Sequence, residues 1–163
     1  LIALGLAVAI VATIAQAQQP NWTSQSRLMY LYVDGTVLAG GGDNPGPHTY
    51  QVPQGDVGGK VVIAGQAGSP WCLSFTYANP VVGYATTPWG IVDIDVSQIV
   101  LTYSGTFTGT PTGCFPPLFC PTTSVEFPIT YPQQPFSFTC QGWVATPQTA
   151  SGYTLTAALR VWQ

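Results

Sequence analysis

The sequence predicts a mainly β protein: a β-sandwich preceded by a single apolar α-helix. Three observations predict it. Residues 1–15 (LIALGLAVAIVATIA) carry one polar side chain, Thr13, and no charge appears before Arg27. Beyond them the chain is rich in turn formers, with 18 Gly and 15 Pro in 163 residues. Between the turns lie short runs rich in β-branched and aromatic residues, the composition of strands.

The elements follow in order. Residues 1–20 are expected to form the apolar helix, which Pro20 ends, and residues 21–163 the sandwich domain. Eighteen helical residues span about 27 Å, close to the thickness of a bilayer core. A competing pattern runs through the same stretch. Leu4, Leu6, Val8 and Ile10 alternate with Gly5, Ala7 and Ala9, as in a strand inserted into a sheet. Val11 and Ala12 break the alternation, and the Ala-rich composition favours the helix. In the body, residues 27–33 and 36–39 flank Asp34-Gly35, a hairpin signal. Residues 40–47 (GGGDNPGP) read as a loop. Strands are expected near 48–52, 60–66, 70–77, 124–131, 136–144 and 152–162. The longest, over 91–103, places Val92, Ile94 and Val96 on one face and Asp93, Asp95 and Ser97 on the other. Eight or nine short strands with intervening turns argue a sandwich.

Composition excludes several functions. Charged residues make up 6% of the chain, against about 25% in ordinary soluble domains. Arg27, Lys60 and Arg160 are the whole basic complement, too few for a phosphate-binding patch, so no nucleic-acid partner is expected. The surface must then be built from Thr, Ser, Gln, Gly and Pro, and it repels neighbouring copies weakly.

The search for chemistry finds no catalytic set, and no cofactor or metal is expected. His48 is the single histidine and reads as a surface residue. The carboxylates are Asp34, Asp43, Asp56, Asp93, Asp95 and Glu126. Asp93 and Asp95 share a strand face, where paired acids or calcium ligands would sit, although a solvated strand face is the plainer reading. Cys72, Cys114, Cys120 and Cys140 show no metal-binding spacing and point to two disulfides in an oxidising compartment. Three connectivities are open; the favoured one joins Cys114 to Cys120 across FPPLF and Cys72 to Cys140 between distant strands. Asn21-Trp22-Thr23 is the one N-glycosylation sequon. Aromatic residues are taken as core by default.

Three fates suit residues 1–15: a signal peptide, for which Ala15-Gln16-Ala17 offers a cleavage site; a membrane helix; or a segment buried in another copy. An uncharged apolar helix leading into a Thr/Gly-rich β domain resembles the archaeal type IV pilins. Gly5 stands where bacterial type IV pilins carry glutamate, which fits the archaeal branch. The resemblance implies a prepilin peptidase that leaves the apolar segment on the mature chain. It implies an immunoglobulin-like head, frequent glycosylation, and helices that sit in the membrane before they bundle in the filament core. The expected partners are copies of the same chain in a helical homopolymer, in an extracellular filament for attachment. Leu1, Ile2, Leu4, Leu6, Val8, Ile10, Val11 and Ile14 would be the polymerising side chains. One alternative is a secreted sandwich subunit whose N-terminal strand completes a neighbour's sheet. Another is a secreted carbohydrate-binding module with an exposed aromatic platform.

Overall fold

A computed structural model describes residues 29–33, 36–40, 47–110, 113–115, 119–146 and 152–163. The apolar segment of residues 1–15 with all its polymerising side chains, Asn21, Arg27, Asp34 and Asp43 lie outside these. The backbones of Cys114 and Cys120 are described, on two strands that pair, but their side chains lie outside the description.

The chain is mainly β, and two sheets, the first antiparallel and the second mixed, share one core. β1 (Met29–Val33), β2 (Thr36–Gly40), β4 (Gly58–Gln66), β9 (Gly113–Phe115) and β10 (Phe119–Thr130) form the first sheet, in the order β2-β1-β4-β10-β9. β3 (His48–Gln51), β5 (Pro70–Thr76), β8 (Leu101–Thr106), β11 (Ser137–Ala145) and β13 (Leu159–Trp162) form the second, in the order β3-β13-β11-β5-β8. β12 (Tyr153–Leu155) also pairs with β11. A separate hairpin joins β6 (Ala85–Thr87) and β7 (Gly90–Val92). The pairing of β3 with β13 is parallel. Val33 pairs with Thr36, so β1 and β2 meet across Asp34-Gly35 as the hairpin signal predicts.

Period-two alternation decides which side chains enter the core. Trp71 and Leu73 of β5 are buried while Pro70 is exposed and Cys72 half-buried; Leu159 and Val161 of β13 are buried while Arg160 is half-buried. Met29, Leu31, Val61 and Ile63 of the first sheet meet Trp71, Leu73, Cys140, Val144, Leu159 and Val161 of the second in one cluster. Two glycines let the layers close. A Cβ on Gly142 of β11 would lie 2.6 Å from Ile63 Cδ1 of the facing sheet. A Cβ on Gly65 of β4 would lie 2.0 Å from Phe107 Cε2, so the Phe107 ring lies directly against that backbone.

Three expectations need correction. The strand over 91–103 breaks into β7, a 3-10 turn at Val96–Gln98 and β8. The cause is local: Asp95 Oδ1 accepts from Ser97 N at 2.9 Å and Ser97 Oγ at 2.6 Å, and Oδ2 accepts from Gln98 Nε2 at 2.8 Å. An aspartate that bonds the chain just ahead of it offers the backbone an alternative to the sheet ladder. The strand over 152–162 also divides. Trp143 pairs with Leu155 and Cys140 with Leu159, so two residues of β11 (141–142) face three of the opposing segment (156–158) and a bulge lies between β12 and β13.

The third correction concerns Cys72 and Cys140, which are free thiols. Cys72 pairs with Trp143 and Cys140 with Phe75, so the cysteines are offset by three residues on neighbouring strands. An odd offset puts them on opposite faces and about 10 Å apart along the strand, outside disulfide reach. Cys140 points into the core, where burial pushes its thiol far above the ordinary value, and donates to Met29 Sδ at 4.0 Å.

The polar residues expected at the surface also work inside. Among the described residues, Thr76, Thr123, Thr139, Thr146, Thr154 and Thr156 are buried. Thr139 Oγ1 donates to the Ala78 carbonyl at 2.7 Å, Thr123 Oγ1 to the Thr108 carbonyl at 3.1 Å, and Thr156 Oγ1 accepts from Gly142 N at 2.8 Å. Buried hydroxyls paired in this way avoid the desolvation cost of an unmet polar group.

The contact at Gly65 yields a test of the sandwich. Gly65→Ala drives a methyl into the Phe107 ring and is expected to destabilise the fold by about 1–3 kcal/mol. Thermal unfolding followed by near-ultraviolet circular dichroism checks it, and an unchanged midpoint would contradict the packing.

Candidate functional site

A concave surface lies on one flank of the sandwich, where the two sheets part. It is a groove of about 720 Å³ lined by residues of β5, β8, β10, β11 and the loops beside them. This size falls within the range of ligand pockets. Phe127 and Ile129 of β10 form one wall; Phe75, Leu101, Tyr103 and Phe138 form the other. No lining residue carries a charge.

A file of aromatic rings connects this groove to the core. Trp71 meets Phe127 edge-on at 5.4 Å between centroids, and Phe127 meets Tyr103 at 5.5 Å. Tyr103 meets Phe75 edge-on at 6.0 Å, and Phe75 meets Phe138 at 6.1 Å. Phe138 stacks with Phe136 at 6.4 Å, which stacks with Tyr131 at 5.5 Å. Edge-to-face and offset pairs at these separations add about 0.5–1.5 kcal/mol each beyond the area they bury. Burial also raises the phenol of Tyr131 above its ordinary value of 10.0. The default assignment of aromatics to the core therefore holds for Trp71 and Phe107 and falls short at the flank. There Tyr103 stays 44% exposed and Leu101 46% exposed. Alternation in β8 and β10 would have placed these residues on one face, but it cannot say that the face is left uncovered.

Among the described residues, both walls end in strands with an open side. β8 pairs with β5 on one side, and among the described residues nothing pairs with it on the other. All six of its residues, LTYSGT, are exposed, and none is charged or proline. β10 pairs along residues 122–130 with β4, whereas β9 meets it only at Phe119 and Thr122. Among the described residues, the stretch of β10 past Thr122 has β4 as its one strand neighbour, and it contains Pro128, which has no backbone N–H, and Glu126, which accepts from Lys60 Nζ at 2.7 Å. Proline and charge both discourage further pairing at a sheet edge. β8 has neither.

The remaining sequence candidates are structural or lie apart. Asp93 and Asp95 do not form a pair of acids. Asp93 is 2% exposed, and Oδ1 accepts from Gly83 N at 2.8 Å. Its own N–H donates to Gln141 Oε1 at 2.9 Å, while Gln141 Nε2 donates to the carbonyls of Ile91 and Thr156 at 2.7 and 2.8 Å. Gln141 thus pins the segment around β7 to the outer face of the second sheet. Asp95 is half-buried and caps the 3-10 turn. His48 begins β3 and donates its N–H to the Ala158 carbonyl at 2.8 Å. Asp56 follows β3 in an exposed loop. Arg160 lies over the Trp162 ring at 5.5 Å and donates from Nε to Ser137 Oγ at 3.3 Å. Trp143 and Tyr153 stack on one another at 4.2 Å on the side away from the core. Among the described residues, no group of three or more His, Cys, Asp or Glu side chains is placed to hold a metal ion, and no helix is long and apolar enough to cross a membrane.

No family model, no characterised protein and no solved structure matches this chain.

The two aspartates titrate in opposite directions. Burial raises the Asp93 carboxyl above its ordinary 3.8, so the folded state holds its proton to higher pH and this group's contribution to stability falls as pH rises through that window. Hydrogen bonds from Ser97 and Gln98 lower Asp95 below 3.8, so its contribution is present above 3.8 and is lost as pH falls through the folded value. Asp93→Asn should therefore gain in unfolding midpoint relative to the parent as pH rises from 3 to 7, and Asp95→Asn should lose. Midpoints measured across that range decide it, and parallel curves would refute both assignments.

Proposed function

We propose that this chain is a structural subunit of an extracellular filament for surface attachment, polymerising through its apolar N-terminal segment. The observation that carries the reading is the uncharged run of residues 1–15 joined to a charge-poor β-sandwich. Leu1, Ile2, Leu4, Leu6, Val8, Ile10, Val11 and Ile14 are large apolar side chains, and burial stabilises each by roughly 1.5–3 kcal/mol before ordering costs. Repeated head-to-tail, such a contact does not close and builds a fibre. Self-association is the activity, and neither cofactor nor nucleic acid takes part in it.

The strand order supports an immunoglobulin-like head of the variable type. β1-β4-β10-β9 take the A-B-E-D places, and β13-β11-β5-β8 take G-F-C-C′. Trp71 stands on the C strand and Cys140 on the F strand. The B strand, GGKVVIAGQ, has no cysteine, so Met29 Sδ rather than a second thiol faces Cys140.

Two joint geometries serve this role. In the first, which follows from the resemblance to archaeal type IV pilins, residues 1–17 wait in the membrane as a helix whose backbone is satisfied internally. They then pack into a central bundle, where Gly5 and the alanines allow close approach. In the second, the segment is donated as a strand to a neighbouring sandwich. The apolar groove beside the open edge of β8 is the specific observation that favours the second.

Either geometry places residues 1–15 in a dry joint, where an isolated charge is costly. Leu6→Asp is expected to abolish filaments seen by negative-stain microscopy and pelleted by ultracentrifugation, while circular dichroism still reports a folded β domain. Filaments that persist with the charge in place would sink the assignment.

A further inference from the structure

We propose that the groove beside β8 receives residues 4–10 of a second copy of this chain, added as a strand along the β8 edge. The proposal rests on the filament reading above and identifies the accepting surface. Three independent features converge on it. The first is the edge. β8 offers six exposed residues whose outer backbone groups have no strand partner among the described residues, with neither proline nor charge to discourage pairing. An edge of this kind is a template for strand addition.

The second is the shape of the two faces. Leu101 and Tyr103 point from β8 toward Phe127, Ile129 and Phe75 in the groove, while Thr102 points the other way and its hydroxyl lies 3.1 Å from Ser74 Oγ. A strand laid beside β8 continues this alternation. Residues 4–10 match it: Leu4, Leu6, Val8 and Ile10 would fill the groove, and Gly5, Ala7 and Ala9 would continue the outer face of small side chains. Neither surface carries a charge that burial would strand.

The third is reach. Residues 11–28 separate the donor stretch from β1, which begins at Met29 in the other sheet. Those 18 residues span up to roughly 60 Å when extended, ample for the groove of an adjacent subunit. Insertion into its own groove would satisfy the edge but leave the filament without a joint, so the second copy is the occupant that couples this site to assembly.

The test uses full-length chain with the photoreactive residue p-benzoylphenylalanine in place of Leu6. Isotopically heavy and light copies are mixed, assembled, irradiated, digested and mapped by mass spectrometry. The expected product links the peptide bearing position 6 to the peptide bearing residues 101–106, in heavy–light as well as like-label pairs. Like-label pairs alone would mean self-insertion and overturn the proposal. Links from position 6 to residues 1–15 of other copies would also overturn it, yet leave the filament reading standing. Absence of filaments from the unmodified chain would overturn both. A second arm compares Tyr103→Lys, on the accepting edge, with Val82→Lys, which is 77% exposed and outside the groove. Tyr103→Lys should reduce pelleted filament at least about tenfold with the monomer still folded, and Val82→Lys should leave it unchanged. Equal filament yield from Tyr103→Lys and the parent would refute strand addition at β8.

Discussion

The two sheets are held face to face by an aromatic and aliphatic core, and everything else on the molecule depends on that contact. Trp71 packs against both Phe107 and Phe127 between the layers, and Gly65 and Gly105 leave the room these rings need. A Cβ at Gly105 would lie 2.9 Å from Trp71 Cζ2. Close-packed interiors tolerate little volume change, so Gly65 limits how closely the layers approach at Phe107, while Gly105 makes room for the Trp71 ring beside it in the same sheet. Cys72 and Cys140 add no covalent tie between strands. The cohesion of the described core therefore comes from burial and ring packing.

A chain with so few charges meets its polar requirements in another way. Threonine hydroxyls and one glutamine amide satisfy backbone groups where loops cross the sheets. Gln141 is 4% exposed and makes three hydrogen bonds, holding the β7 segment against the second sheet. Fully satisfied buried networks of this kind specify one arrangement, because any shift leaves an amide unpaired. The exposed Lys60–Glu126 pair belongs to a different category. Solvent screens it, and its value lies in marking the β10 edge as one that resists pairing.

The same packing that closes the core leaves it open at one flank. β9 meets β10 only at its far end, and β8 has no outer neighbour among the described residues, so the rings between them face a groove. An apolar groove beside an unprotected edge is a liability for a monomer and an asset for a subunit. In the proposed joint, the apolar N-terminal segment of one copy complements this flank of another. A self-assembling structural protein is the reading that gives both features a use.

Much of the framework is legible from residues alone. Alternation locates β3, β4, β5 and β11 within a few residues, and Asp34-Gly35 marks the turn between β1 and β2. These features are local, and period-two patterning with turn chemistry reports them directly. The failures share one physical cause. Alternation says which side chains share a face, never which strand lies beside them or whether the face is covered. Asp95 was free to bond its own backbone, so a run that alternates on paper breaks at the 3-10 turn. Cys72 and Cys140 do lie on adjacent strands, but a register offset of three places them on opposite faces. The sequence by itself determined the β composition, the apolar segment and the poverty of charge. Only the tertiary structure decided strand order, register and the open flank, because each is set by contacts between residues far apart in the chain.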